Sequence, residues 1–411
     1  MSLPFYHNPN ASKATSRPFK VNIPDDDLKK LKVLLDAAPL GVETWENKQT
    51  DGRFGVSRSW LANARSVWLH DFDWRRKEAA INSFPHFRHI VKHAEIGEFD
   101  LHFCALFSEM PDAIPIVMLH GWPGSFLEFL PILSILRNKY TPADIPYHVI
   151  VPSLPGFAFS SGPLQDRDLT TTGCASVINQ LMLDLGFGKG YVAQGGDFGC
   201  AIANVMAVNF DACVAQYVNL WMGDLSLVPS SVSDDELTEK DREAMARLKK
   251  WQADGGGYAV QQGTRPATTG LVLSSSPLAL LAWVGEKLVE WSDITPPLET
   301  ILEMISLYWF TDTISRSLYP YRSLVASFQG SKEPWGIITL TKPYGYSCFY
   351  KDNSFLPKAW AKLYPNMKFY GPHEDGGHFA ALERPETLLH DLEDFIKAHI
   401  RVQDRKLETA L

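Results

Sequence analysis

A carboxylate set among small residues, Gly195-Gly196-Asp197-Phe198-Gly199, is the stretch of this chain whose types and spacing point most directly to a covalent chemistry. It follows an apolar run, Tyr191-Val192-Ala193, and precedes a helix-like segment from Cys200 to Phe210. Small residues two positions to either side let a strand turn abruptly into a helix. The central side chain is then strained and exposed at the end of the strand. A serine there would attack carbonyls and give acyl esters. A carboxylate attacks a saturated carbon that bears a leaving group and gives an alkyl ester. Epoxides and alkyl halides suit that attack. The triplet Asp197-Phe198-Gly199 also matches the magnesium-binding triplet of protein kinases. That reading requires a glycine-rich loop, a strand lysine and an upstream His-Arg-Asp. The nearest string, Asp166-Arg167-Asp168, lacks the histidine, so the kinase reading is set aside.

An ester on Asp197 must be cleaved by water, which needs a base and an acid to orient that base. In the α/β-hydrolase fold, where such elbows occur, the chain order is nucleophile, acid, histidine. His378, in Gly376-Gly377-His378 after the last predicted strand, occupies the place of the base, and His373 is a lesser competitor. Asp352, in Phe349-Tyr350-Lys351-Asp352-Asn353, is the candidate acid; Glu374 and Asp375 lie too close in sequence to His378 to turn back onto its ring. The oxyanion of ester cleavage needs two donors, for which the amides of Phe198 and Trp122 are the candidates. The helix start after Asp197 also carries partial positive charge that suits a carboxylate. Opening an epoxide further requires an acid for the departing alkoxide. A tyrosine phenol can serve, and the candidates are Tyr258, Tyr308, Tyr319 and Tyr321.

These residues must be held by a particular set of elements. Helical spacing covers Asp25 to Leu35. Strands are predicted at Phe99 to Phe107 and at Ile114 to Leu119, the latter ending in His120-Gly121-Trp122-Pro123-Gly124. A helix from Phe126 to Leu136, a strand from Tyr147 to Val151 and a helix from Thr171 to Leu185 follow. The elbow and a strand from Val214 to Leu220 complete the alternation. Strand and helix alternating with short turns predict a mostly parallel sheet with helices on both faces. The pattern breaks near Trp221. Ser233-x-x-Glu236 suggests a capping box for a charged helix reaching Trp251, and further helices run over Pro277 to Trp291 and Pro297 to Arg316. Strands resume at Trp335 to Leu340 and Met367 to Tyr370, before a final helix from Pro385 to Arg401. The fold class is therefore α/β, with a helical insertion placed to cover the elbow. His86, His89 and His93 have spacings compatible with one helix face. No second ligand group accompanies them, so no metal is expected.

Composition excludes other classes. The 411 residues carry a formal net charge of −8, which disfavours nucleic acid and anionic membrane as partners. No apolar run approaches the roughly 18 residues of a membrane helix, and the N-terminal residues have no basic and apolar signal pattern. Cys104, Cys174, Cys200, Cys213 and Cys348 are scattered and form no C-x-x-C pair, which suits reduced thiols in an intracellular, cytoplasmic protein.

Several motifs together resemble one family. They are Asp71-Phe72-Asp73-Trp74-Arg75 with Asn82-Ser83-Phe84-Pro85, the His120–Gly124 loop, the Asp197 elbow, and the run from Gly376-Gly377-His378-Phe379 to Glu383-Arg384-Pro385. Over nearly the whole chain the sequence resembles the epoxide hydrolases of the α/β-hydrolase fold, of the microsomal type and its soluble fungal members. The resemblance implies an N-terminal extension over 1–94 wrapping core and lid, a first core segment over 95–221, a helical lid over 222–333 and a second core segment over 334–411. It implies Asp197 as nucleophile, His378 as base and Asp352 as its acid partner, with no cofactor and no metal. Tyr258, in Gly257-Tyr258-Ala259-Val260, is implied as the first lid tyrosine and Tyr321, in Tyr319-Pro320-Tyr321-Arg322, as the second, with Tyr319 as its alternative. Phe198 stands where many relatives carry tryptophan. The expected partners are a small epoxide and water, with no membrane anchor and a homodimer as in fungal relatives. Two rivals share the scaffold. A haloalkane dehalogenase would use the same nucleophile but needs Trp or Asn N–H donors for halide. A silent binding protein would need no triad.

Overall fold

Alternation of buried strands with amphipathic helices produces the expected layered architecture. The computed structural model describes residues 4–9, 16–162, 165–221, 236–328 and 341–400. The N-terminal part supplies β1 (Arg17–Phe19), α1 (Asp25–Ala37), α2 (Arg58–His70), α3 (Trp74–Ile81) and β2 (His86–His93). The sheet continues through β3 (Gly97–Leu106), β4 (Ile114–Leu119), α4 (Leu130–Lys139), β5 (Tyr147–Pro152), α5 (Thr171–Asp184), β6 (Tyr191–Gly195), α6 (Phe198–Asn209) and β7 (Cys213–Val218). Among the described residues seven helices follow: α7 (Glu239–Asp254), α8 (Gly257–Thr264), α9 (Pro266–Ser274), α10 (Pro277–Glu290), α11 (Leu298–Phe310), α12 (Thr313–Arg316) and α13 (Pro320–Phe328). The chain then returns through β8 (Tyr344–Phe349), α14 (Lys358–Ala361), β9 (Met367–His373), α15 (Ala380–Glu383) and α16 (Pro385–His399).

Among the described residues the strands form one nine-stranded sheet in the order β1-β2-β3-β5-β4-β6-β7-β8-β9. The pairs from β1 to β5 are antiparallel, and those from β5 through β4 to β9 are parallel. β4, and β5 apart from His148, are apolar and buried on both faces, as parallel strands covered by helices on both sides must be. α6 is apolar almost all round and buried from Phe198 to Ala207, which suits a helix pressed between the sheet and its neighbours. The strand order reverses between β4 and β6. There Leu119 lies opposite Gly195, so the loops leaving both strands emerge side by side. At the other end Phe349 of β8 pairs with His373 of β9, which brings the loops carrying Asp352 and His378 together.

Several elements differ from the sequence reading. His86, His89 and His93 lie on a strand, not a helix. Successive side chains on a strand point to opposite faces, so His86 faces away from the other two. His86 stacks on His102, its Nδ1 3.0 Å from the His102 Nε2, and burial lowers its pKa to about 4. His89 instead meets Asp184 at 3.2 Å, while His93 accepts the amide hydrogens of Glu95 and Ile96. The helix predicted from Phe126 opens as a single 3₁₀ turn over Phe126–Phe129, capped by Ser125 and Glu128, and α4 begins only at Leu130. The long helix predicted from Pro297 breaks between α11 and α12 at Asp312, which adopts the left-handed φ of 49°. Ser233 lies outside the described residues; the charged helix α7 is capped by Thr238 with Asp241. The strand expected at 335–340 also lies outside them, and β8, which the sequence reading did not mark, leads to Asp352.

The N-terminal residues are knitted into the rest. β1 and β2 extend the sheet, and Asn82 both accepts from and donates to the Val21 backbone at 2.8 Å. The Trp68 indole N–H donates to Ser306 Oγ of α11 at 2.9 Å, and Lys77 pairs with Glu303 of α11 at 3.0 Å. Among the described residues no single helix is long and apolar enough to cross a membrane. α9 and α10 reach that length and composition only as a pair bent by 119°.

Candidate active site

The elbow builds the site from its glycines outward. A Cβ on Gly199 would lie 2.1 Å from the Leu119 carbonyl oxygen, and one on Gly195 would lie 2.2 Å from that of Gly199. Only bare backbone fits so tight a turn. Asp197 takes φ 47° and ψ −129°, a strained conformation for a residue with a side chain. Its carboxylate sits at the start of α6, whose first residue is the buried Phe198. The Trp122 amide donates to Asp197 Oδ1 at 2.8 Å. Gly121 is required beside it, because a Cβ there would fall 2.1 Å from the same oxygen.

His378 closes the other side. Its Nε2 lies 3.3 Å from Asp197 Oδ2, and its Nδ1–H donates to Asp352 Oδ1 at 2.8 Å. Burial by itself would lower the pKa of His378. The Asp352 and Asp197 carboxylates outweigh it and hold the ring well above its ordinary value. The histidine loop is fixed from the helical insertion, since the His378 amide donates to the Trp291 carbonyl at 2.9 Å and the Trp291 ring stands edge-on to the imidazole at 5.0 Å. His373, the competitor, is spent elsewhere. Its Nε2 meets Asp391 at 2.5 Å at the end of β9. Glu374 and Asp375 are exposed, and Glu374 pairs with Lys240.

Four tyrosines come down from the inserted helices, and their partners separate them. The Tyr308 hydroxyl donates to the Gly124 carbonyl at 2.9 Å, and that of Tyr319 to Cys174 Sγ at 3.6 Å. Tyr258 of α8 and Tyr321 of α13 are within hydrogen-bonding reach of each other. Tyr258 stacks on Trp122 at 5.6 Å, and Tyr321 stands edge-on to the same indole at 5.5 Å. Gly263 allows this approach of α8 to α13, for a Cβ there would lie 2.6 Å from the Tyr321 carbonyl oxygen. Burial, reinforced by the Asp197 carboxylate, pushes both phenols up, so both are neutral donors.

The sequence assigns no individual role to two further glutamates at the site. Glu128 lines the small pocket that also holds Trp122, Asp197, Asn219, His378 and Phe379. Its Oε1 accepts the Ser125 amide at 3.0 Å, and burial raises its pKa to about 8. Ser125 and Glu128 form a capping box, a local pairing in which nothing announces proximity to Asp197. Glu383 accepts the amides of Asp293 at 2.7 Å and of Gly377 and Phe379 at 3.2 Å, tying the tail of α10 to the histidine loop.

The chain is similar to several known proteins. Residues 16–129 match the family model for the epoxide hydrolase N terminus, and residues 114–255 match that for the α/β hydrolase fold. The structure of Aspergillus niger epoxide hydrolase is 46% identical, with a TM-score of 0.89 over 96% of this chain and 100% of that one. Juvenile hormone epoxide hydrolase from the silkworm Bombyx mori is 25% identical, with a TM-score of 0.76 over 96% of this chain and 95% of that one. Epoxide hydrolase 1 of Sus scrofa is 30% identical over 94% of this chain and 89% of its own length.

Proposed function

This chain belongs to the epoxide hydrolase family, and we propose that it turns epoxides into vicinal diols through a covalent ester on Asp197. The observation that carries the mechanism is the position of the Asp197 carboxylate. One oxygen is held by the Trp122 amide and the other faces His378. In the first step Oδ2 attacks a ring carbon and the carbon–oxygen bond breaks. The electron pair moves to the ring oxygen, which takes a proton from the paired phenols of Tyr258 and Tyr321. Esterification removes the charge of Asp197, so the imidazolium of His378 loses one of its two anionic supports and gives up its proton, which restores the phenol deprotonated in ring opening. In the second step His378 takes a proton from water, oriented through Asp352, and hydroxide adds to the ester carbonyl. The charge then develops on Oδ1, where the Trp122 and Phe198 amides receive it. Collapse passes the proton from His378 to the departing diol oxygen and leaves one oxygen from water in the Asp197 carboxyl, whose own proton then moves to His378 and restores the starting ion pair.

A single turnover in isotopically heavy water tests this scheme. The label is expected in Asp197 and not in the first diol released, and Asp197→Ala is expected to abolish diol formation. His378→Gln is expected to accumulate alkylated protein by mass spectrometry. A label found only in the first diol contradicts the covalent step.

Two features support further readings. All five cysteines are buried and unpaired, which suits a reducing compartment such as the cytoplasm. Val260, Leu271 and Val272 are 55%, 73% and 56% exposed on α8 and α9, apolar side chains that a second copy of the chain would cover in a dimer paired through these helices.

A further inference from the structure

Lys287 lies in the last turn of α10, and only 4% of it is exposed. A buried ammonium is costly unless something compensates it. Its ion-pair partner is the neighbouring Glu286, whose side chain is 30% exposed. A flexible lysine next to so open a partner could follow it into water. It turns inward instead. Its Nζ stands 4.7 Å from the centroid of the Tyr258 ring, 5.8 Å from that of Trp283 and 5.9 Å from that of Trp291. The shortest of these approaches is to the phenol placed over the reacting centre. Tyr258 is also stacked on Trp122 at an interplanar angle of 13°, so its ring is fixed while the cation holds station over it.

We propose that Lys287 is a positioning residue for ring opening: its ammonium over Tyr258 favours the electron-rich form that this phenol adopts as its proton passes to the epoxide oxygen. This rests on the reading of Tyr258 as a proton donor. A cation over an aromatic ring is attracted by the π-density of that ring. That density rises as the O–H bond weakens and negative charge spreads from the oxygen into the ring. The attraction is therefore stronger in the transition state of ring opening than in the resting enzyme, which is the condition for accelerating a step. The nearby Asp197 carboxylate, and after it that of Glu290, disfavours negative charge on the same phenol, and the ammonium works against both. Lys287 would leave the second step alone, because ester hydrolysis runs through His378 and needs no charge on Tyr258.

The two steps can be read apart in single turnovers with styrene oxide as the probe, following ester formation and ester decay. Lys287→Met is expected to slow ester formation about tenfold and to leave ester decay within about twofold of wild type. Lys287→Arg, which keeps a cation over the ring, is expected to restore ester formation to within about threefold. In a Tyr258→Phe background, where the ring remains but the proton is gone, Lys287→Met is expected to cost less than about twofold. Should the methionine variant fail to fold, Lys287→Gln against Lys287→Arg gives the same contrast of neutral and charged side chains. A lysine that merely packs would produce equal slowing of both steps, or the same tenfold loss without the Tyr258 hydroxyl. Either result overturns the proposal. If wild-type enzyme forms no ester at all, the reading of Asp197 fails, and the role of Lys287 fails with it.

Discussion

At the scale of single residues the site is governed by where charge is buried. Glu128 shares a pocket with Asp197 and His378. Burial raises its pKa to about 8, the Asp197 carboxylate adds to this, and His378 works against it. An unfolded carboxyl releases its proton near pH 4.3. Between that pH and about 8 the folded protein holds the extra proton, so folding loses free energy as the pH rises. Glu128→Gln cannot ionise, yet it keeps an oxygen for the Ser125 amide. Its stability is expected to match wild type near pH 4 and to exceed it progressively towards pH 8, by about 2–4 kcal/mol at the upper end. Urea unfolding midpoints between pH 4 and pH 9 measure this. A difference that stays constant with pH would show that the carboxyl does not titrate in this way.

At the scale of elements the decisive feature is the joint between the helical insertion and the histidine loop. The chain after α10 presents the Trp291 carbonyl to the His378 amide, while Glu383 of α15 gathers the amides on both sides of that joint. A Cβ on Gly377 would lie 2.6 Å from the Trp291 carbonyl oxygen, so the two segments can approach only through glycine. Burial raises the pKa of Glu383, and the surrounding amides pull it back. Glu383→Ala leaves those N–H groups without their acceptor and is expected to cost about 2–3 kcal/mol of stability. It should also slow ester hydrolysis more than ester formation, because only the former depends on the placement of His378. Thermal unfolding with single-turnover kinetics measures both. An unchanged melting temperature would mean that water replaces the carboxylate at no cost.

At the scale of the whole molecule the insertion is held from two directions. Its α10 tail is fastened to the core, and α2 and α3 support α11 through Trp68 and Lys77. The N-terminal strands in turn extend the sheet through β2 and β3. Among the described residues Val260 of α8 and Leu271 and Val272 of α9 are left exposed. If two copies pair there, Leu271→Asp combined with Val272→Asp is expected to convert a dimer to a monomer in sedimentation velocity, since a charge in an apolar contact is strongly disfavoured. Unchanged sedimentation of the double variant removes this face from consideration.

Short-range steric demands made the elbow, the His120–Gly124 loop and the Gly376–His378 turn legible in the sequence, because a glycine that must admit a neighbouring backbone leaves its mark within a few residues. The parallel sheet was legible for a similar reason, as β4 is apolar throughout and β5 is apolar but for His148. The three histidines of β2 misled because spacings of three and four residues suit a helix, while only pairing with β3 sets the two-residue alternation that separates them. Tyr319 and Tyr321 are almost adjacent in the chain, and only the tertiary packing sends one hydroxyl to Cys174 of α5 and the other to Tyr258 of α8. Glu128 and Lys287 could not be read at all. A glutamate in a capping box and a lysine on a helix are commonplace by type, and their burial beside a carboxylate or over a phenol exists only once distant segments have closed around them.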